Sequence, residues 1–258
     1  MAIDSPAKIV IIGAGPIGLE AALYARFLGY EVDVFERDVL ASSLRQSSAE
    51  ITGSFVENAT SLGLAALEAQ GEFDRPADDA TLTSREFAER YCGPLANTDL
   101  IQDCIHEHSS VVRVTLNPNH SNTSPDDTED DEITAPKFIV HYNSPDAQTA
   151  TTQAHVVIDA SGENSAVDWT ETQLASCPDT GIYLGGQASF GATREQWSSP
   201  ENLVTREQHG YVIGRKSFGN EVPFGKSFTL PDGHEQIRVL FSILGDRAEL
   251  DLYKTVRL

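Results

Sequence analysis

Gly13, Gly15 and Gly18 follow the β-branched run Ile9 to Ile12 at G-x-G-x-x-G spacing, and Glu36 stands eighteen residues after the last of them. This set can recognise a pyrophosphate and a ribose. Gly13 permits a tight turn, Gly15 lets a phosphate approach the backbone where a Cβ would block it, and Gly18 lets a helix pack close to the preceding strand. Pro16 fits a first helical turn, so Gly13, Ala14, Gly15, Pro16, Ile17 and Gly18 together form a turn whose amides and helix dipole suit an anion. A carboxylate at Glu36 accepts hydrogen bonds from an adenosine ribose and repels a 2′-phosphate, which favours FAD or NAD over NADP.

These residues need a strand-turn-helix-strand unit to position them, and the surrounding sequence supplies one. Ile9 to Ile12 reads as a strand buried on both faces of a parallel sheet. Leu19, Ala22, Leu23, Arg26 and Phe27 recur at helical spacing, Gly29 stops the helix, and Glu31 to Phe35 alternates into a second strand ending on Glu36.

The chain has 258 residues, enough for one large domain or two small ones, and a formal net charge of −21. That charge argues against a nucleic-acid or anionic-membrane surface, both of which need clustered Lys and Arg. No apolar run approaches the roughly 18 residues of a spanning helix, and the N-terminus lacks a secretion-type core, so a cytoplasmic location is expected. Cys92, Cys104 and Cys177 are isolated, with no C-x-x-C, and read as buried thiols with neither a disulfide framework nor a zinc site.

Further along, Leu44 to Ala59 lacks a clear period and reads as a loop under which a ligand could lie. Helices are expected at Leu62 to Ala69, at Ser84 to Leu95 with Ser84 as N-cap, and at Thr98 to His108. Val111 to Leu116, Lys137 to Tyr142 and His155 to Asp159 read as three strands of a meander that returns to the main sheet. The six acids in the seven residues Asp126 to Glu132 read as a solvated hairpin tip or insert, without the pattern of a calcium loop. Ala154 to Gly162 is an apolar strand ending in the small-residue turn Ala160, Ser161, Gly162, which lets backbone pass close to a ligand. Ile237, Leu240, Phe241 and Leu244 fall at helical spacing behind Asp232 and Glu235, which have capping-box spacing, although IRVLFSILGD also reads as a strand.

In this order the pieces resemble the FAD-binding domain of the two-dinucleotide-domain flavoproteins. That group includes pyridine nucleotide-disulfide reductases, flavin-containing monooxygenases and lysine/ornithine N-hydroxylases. Gly13, Gly15, Gly18, Glu36 and the Ala160-Ser161-Gly162 turn match its elements, Gly210 to Lys216 resembles its closing strand, and Asp232 to Gly245 resembles its closing helix. The resemblance implies an α/β Rossmann-like fold, a parallel sheet with helices on one face and a three-stranded β-meander on the other. It also implies bound FAD, with further cofactor contacts at Arg37, Arg45, Val112, Gly214, His234 and Glu235.

Two departures shape the expected function. Only 47 residues separate Gly162 from Gly210, too few for an inserted NAD(P)H domain, and the redox cysteine pair of the disulfide reductases is absent. The expected organisation is one FAD-binding domain over 1–258. It comprises a Rossmann part at 1–162 with its meander at 111–160, a linker or cap at 163–208, and the closing strand and helix at 209–258. The expected function is hydride or electron transfer through a bound flavin, monooxygenase-like, acting on a small molecule or with an electron-donor partner. A degenerate dinucleotide-binding module and an NAD-binding enzyme or sensor are the alternatives. His209, Arg215 and Lys216 stand beside the closing strand as candidate neighbours of the flavin, while Trp169 and Trp197 read as core or interface.

Overall fold

The computed structural model describes residues 3–71, 73–120, 135–146, 148–162, 168–171, 198, 200–205, 207–218 and 228–255. Strand β1 (Lys8–Ile12) shows how the sequence organises the layers. Its alternate residues Ile9 and Ile11 enter a core beneath the helices, and Val10 and Ile12 enter a second core beneath the meander. A strand apolar on both faces must be covered on both, which is why the run is continuously hydrophobic.

Helix α1 (Pro16–Phe27) returns the chain to β2 (Glu31–Phe35), parallel to β1 with Ile11 opposite Val34. Short helices α2 (Ser42–Arg45) and α3 (Phe55–Asn58) occupy the stretch read as loop, followed by α4 (Ser61–Ala69). The helix expected from Ser84 is present as α5 (Ser84–Phe87), a π-helical turn (Ala88–Cys92) and α6 (Gly93–Ala96). Its N-cap is Thr83 rather than Ser84, because Thr83 and Glu86 complete a reciprocal capping box.

Thr98 to His108 is not a helix. It forms a 3-10 turn (Gln102–Cys104) and a short strand β3 (Ile105–His106), because the exposed edge of β2 offers backbone partners at Val34 and Phe35. Strands β4 (Ser110–Leu116), β5 (Phe138–Asn143) and β6 (Thr149–Ala154) form the antiparallel meander. Its third strand is therefore Thr149–Ala154, which the sequence reading passed over. Strand β7 (Val156–Asp159) instead joins the main sheet beside β1.

Strand β8 (Asp168–Glu171) pairs parallel with β4 and extends the meander's sheet. After α7 (Pro200–Leu203), strand β9 (Gly210–Val212) pairs parallel with β7. Helix α8 (Leu230–Leu244) and a short α9 (Leu252–Thr255) follow. Helix α8 begins three residues earlier than its sequence signal, since Thr229 is the cap and Asp232 the reciprocal partner, its Oδ2 accepting the Thr229 N–H at 2.9 Å. The alternative of a strand at IRVLFSILGD is thereby set aside.

The main sheet runs β3-β2-β1-β7-β9, all parallel. The strand order reverses direction between β1 and β7, and ligands of open α/β sheets bind at the carboxyl ends of strands at such a switch point. Among the described residues no helix is long and apolar enough to cross a membrane. The acidic run, Cys177, Trp197 and most of the expected cap lie outside the described residues.

Candidate functional site

The glycine turn sits at the switch point, at the carboxyl end of β1. Gly13 takes φ +101°, a region that L side chains rarely adopt, and a Cβ there would come within 2.8 Å of Ser161 Cα. Gly18 tolerates no Cβ either, because one would overlap the Gly13 carbonyl oxygen. Gly15 differs: a Cβ there would meet nothing within 4 Å. Two glycines are thus required by the packing of the protein itself, while the third leaves open space on the side where a ligand would lie.

Gly15 is also the N-cap of α1 and offers no side-chain acceptor, with Pro16 at the first position. The first-turn amides and the positive end of the helix dipole therefore suit a bound anion. Ile17 has a different task. Gly233 of α8 packs so closely on it that a Cβ at 233 would overlap its side chain, which brings the two helix starts together.

Glu36 reaches the same turn from the end of β2. Its Oε2 accepts the Ala14 N–H at 2.8 Å and its Oε1 accepts the Asp38 N–H at 3.0 Å. A carboxylate has further lone pairs for ribose hydroxyls beyond these two bonds. The neighbouring Arg37 points outward, 60% exposed, onto Asp38. Arg45 Nε donates to the Leu40 carbonyl at 2.9 Å, which fixes the loop behind Glu36, and Val112 is half-buried in β4 beside an irregular register.

The turn Ala160, Ser161, Gly162 faces the glycine turn from β7, held by the Ala160 N–H donating to Ile12 O at 2.9 Å. Gly162 takes φ +72° and Gly214, after β9, takes φ +77°. Gly214 N–H donates to Gln236 Oε1 at 2.7 Å, and Gln236 Nε2 donates to Ser217 Oγ at 2.8 Å, so α8 is tied to the closing strand by one buried amide.

Of the residues read from sequence, the structure brings Gly13 to Gly18, Glu36, Ala160 to Gly162 and Gly214 to one edge of the sheet. His234 is buried with its ring 6.0 Å from that of Tyr253, and Glu235 pairs with Arg238. Gly233 and Gln236 of α8 meet this cradle, through Ile17 and Gly214. His209 lies at the amino end of β9, opposite the cradle. Its pKa is pulled down to about 4, first by burial and then by the charge on Lys137. Arg215 is exposed, whereas Lys216 turns inward onto Asp159.

Asp159, Gln236 and Glu20 were not singled out from the sequence. Asp159 and Glu20 had a readable signal, a charged residue inside an otherwise apolar run, which once buried must find a partner. Glu20 lies in α1 with its carboxyl accepting from Tyr91 and from Thr60 Oγ1 at 2.9 Å. Burial raises its pKa to about 7, against the lowering effect of those two hydroxyls. Burial likewise pushes the Cys92 thiol up, and less strongly Cys104, so neither is poised as a nucleophile.

Part of the cradle lies within the stretch that a family model recognises. Residues 2–65 match the pyridine nucleotide-disulphide oxidoreductase family. That span holds the glycine turn and Glu36. A kynurenine 3-monooxygenase of Phaeosphaeria nodorum is 52% identical over 42 residues, which is 16% of this chain and 8% of that protein. Among solved structures, the bacillithiol disulfide reductase of Bacillus cereus is similar with a TM-score of 0.40 and 18% identity over 60% of this chain and 40% of that one. The S-allyl-L-cysteine S-oxygenase of Allium sativum gives a TM-score of 0.43 and 16% identity over 59% of this chain and 36% of that one. The chain spans less than half the length of each of these proteins.

Proposed function

We propose that this chain binds FAD and serves a flavin-dependent oxidoreductase of monooxygenase-like type. The observation that supports this reading most is the junction of three elements at the β1/β7 switch point: the glycine turn, Glu36 bonded to it through the Ala14 N–H, and the Ala160 to Gly162 turn. The meander on the opposite sheet face favours FAD over NAD by its resemblance to flavin-binding domains.

The residues present fit such a group, since the backbone at Gly15 is open where a pyrophosphate would sit. Bound there, a flavin supplies hydride and electron transfer, and the protein supplies orientation and electrostatics. The amides of the α1 start would hold the pyrophosphate. Glu36 would accept the ribose hydroxyls, and its charge would disfavour a 2′-phosphate. The Ala160 to Gly162 turn and Gly214 would leave room for the ligand between β7 and β9. Electrons would come from a small-molecule substrate, from NAD(P)H or from an electron-donor partner.

The test is a titration of the purified protein with FAD, followed by anaerobic addition of NADH or NADPH to the complex. Flavin retention with loss of the visible bands on adding a reductant supports the reading. No FAD uptake, with NAD bound instead, would replace it by an NAD-binding module.

A further inference from the structure

Asp159 ends β7 with its side chain fully buried, and Lys216, just beyond β9, places Nζ 2.6 Å from Oδ2. The same ammonium lies 3.3 Å from Ser161 Oγ. Asp159 Oδ1 accepts both the Ser161 hydroxyl and, at 3.1 Å, the Ser161 N–H. Ser161 in turn rests on the glycine turn, its Cα 2.8 Å from where a Cβ on Gly13 would stand. One residue therefore separates this ion pair from the backbone of the cradle.

A lysine–aspartate pair taken out of water adds little to stability, and an apolar pair of equal volume often does as well or better. Stability is thus a weak reason for its presence at the carboxyl edge of two neighbouring strands. Charge is a stronger one. The protein carries a net −21, and an unbalanced carboxylate at Asp159 would stand one residue away from the glycine turn, where a doubly negative pyrophosphate would bind.

The geometry points to Lys216 as a positioning residue of the dinucleotide site: paired with Asp159 behind the Ala160 to Gly162 turn, its ammonium offsets that carboxylate's charge beside the pyrophosphate. This rests on the reading that the cradle holds a dinucleotide. The two single neutralisations then act on binding with opposite sign. Removing the ammonium leaves a buried negative charge that repels the ligand. Removing the carboxylate charge leaves a positive one that attracts it. A latch with only a structural role would lose affinity in both cases.

The experiment is an FAD titration by flavin fluorescence at low and high salt, with a melting temperature for each protein. It compares the wild type with Lys216→Met, Lys216→Arg and Asp159→Asn. Lys216→Met is expected to weaken FAD roughly tenfold or more at low salt, as loss of a charged partner does, and by less at high salt. Lys216→Arg retains most of the affinity. Asp159→Asn binds FAD at least as tightly as the wild type despite a lower melting temperature. Equal weakening by Lys216→Met and Asp159→Asn would overturn the inference and leave the cradle reading intact. If Lys216→Met does not fold, weaker FAD binding by folded Asp159→Asn overturns it alone. A wild type that binds no FAD at either salt removes the cradle reading and this inference with it.

Discussion

Glu20 lies inside α1, fully buried, with Tyr91 and Thr60 donating to its two oxygens and Tyr253 and Cys92 close enough to feel its charge. In the folded protein it holds its proton up to about pH 7, whereas its ordinary value is 4.5. Between those values the folded state binds more protons than the unfolded one, so rising pH favours unfolding, and the penalty is complete above about 7. At about 1.36 kcal/mol per pH unit, this gap is worth about 3 kcal/mol at alkaline pH. Glu20→Gln cannot ionise, keeps the shape, and can still accept from Tyr91. It should therefore raise stability by about 3 kcal/mol near pH 8, or roughly 5–10 °C in melting temperature for a domain of this size. Near pH 4.5 the difference should be small. Thermal melts of both proteins across this range, compared pairwise so that other carboxylates cancel, provide the assay. A difference in melting temperature that stays constant with pH, or a variant less stable at alkaline pH, would refute the argument.

Other substitutions test the cradle and its supports. Gly18→Ala forces a Cβ into the Gly13 carbonyl oxygen and should cost about 3 kcal/mol or more, read from thermal melts. Gln236→Leu leaves the buried Gly214 N–H without its acceptor, so chemical denaturation should show a loss of about 1–3 kcal/mol. Thr83→Ala removes the cap of α5 and should cost about 1 kcal/mol without altering FAD binding.

The fold was legible wherever short-range pattern and burial agree. The run from β1 to Glu36 combines a doubly buried strand, a glycine turn and a periodic helix, each of which constrains the next. Helix α8 was legible for the same reason, but its start was not. Asp232 and Glu235 have capping-box spacing, and only the folded chain shows that Asp232 answers Thr229 while Glu235 takes Arg238. Strand β6 was missed because TATTQA has no apolar alternation, its outer face being exposed, and its place is set by pairing along β5. Residues 98–108 carry apolar positions compatible with a helix, yet the free edge of β2 drew Ile105 and His106 into the sheet. In the candidate site, the glycines and Glu36 were visible because one strand-turn-helix-strand unit carries their spacing. Asp159 and Lys216 lie 57 positions apart in the chain, and no local pattern announces a pair made between the end of β7 and the turn that follows β9.

The central claim is that the open backbone at Gly15 receives the pyrophosphate of FAD, and Gly15→Asp tests it most directly. A side chain there meets no protein atom within 4 Å of its Cβ, so the variant should fold with a melting temperature close to that of the wild type. Its carboxylate would occupy the anion site, so FAD retention, measured by the visible flavin spectrum of both proteins after desalting, should be present in the wild type and lost in the variant. Equal retention by the two proteins would contradict this placement of the cofactor.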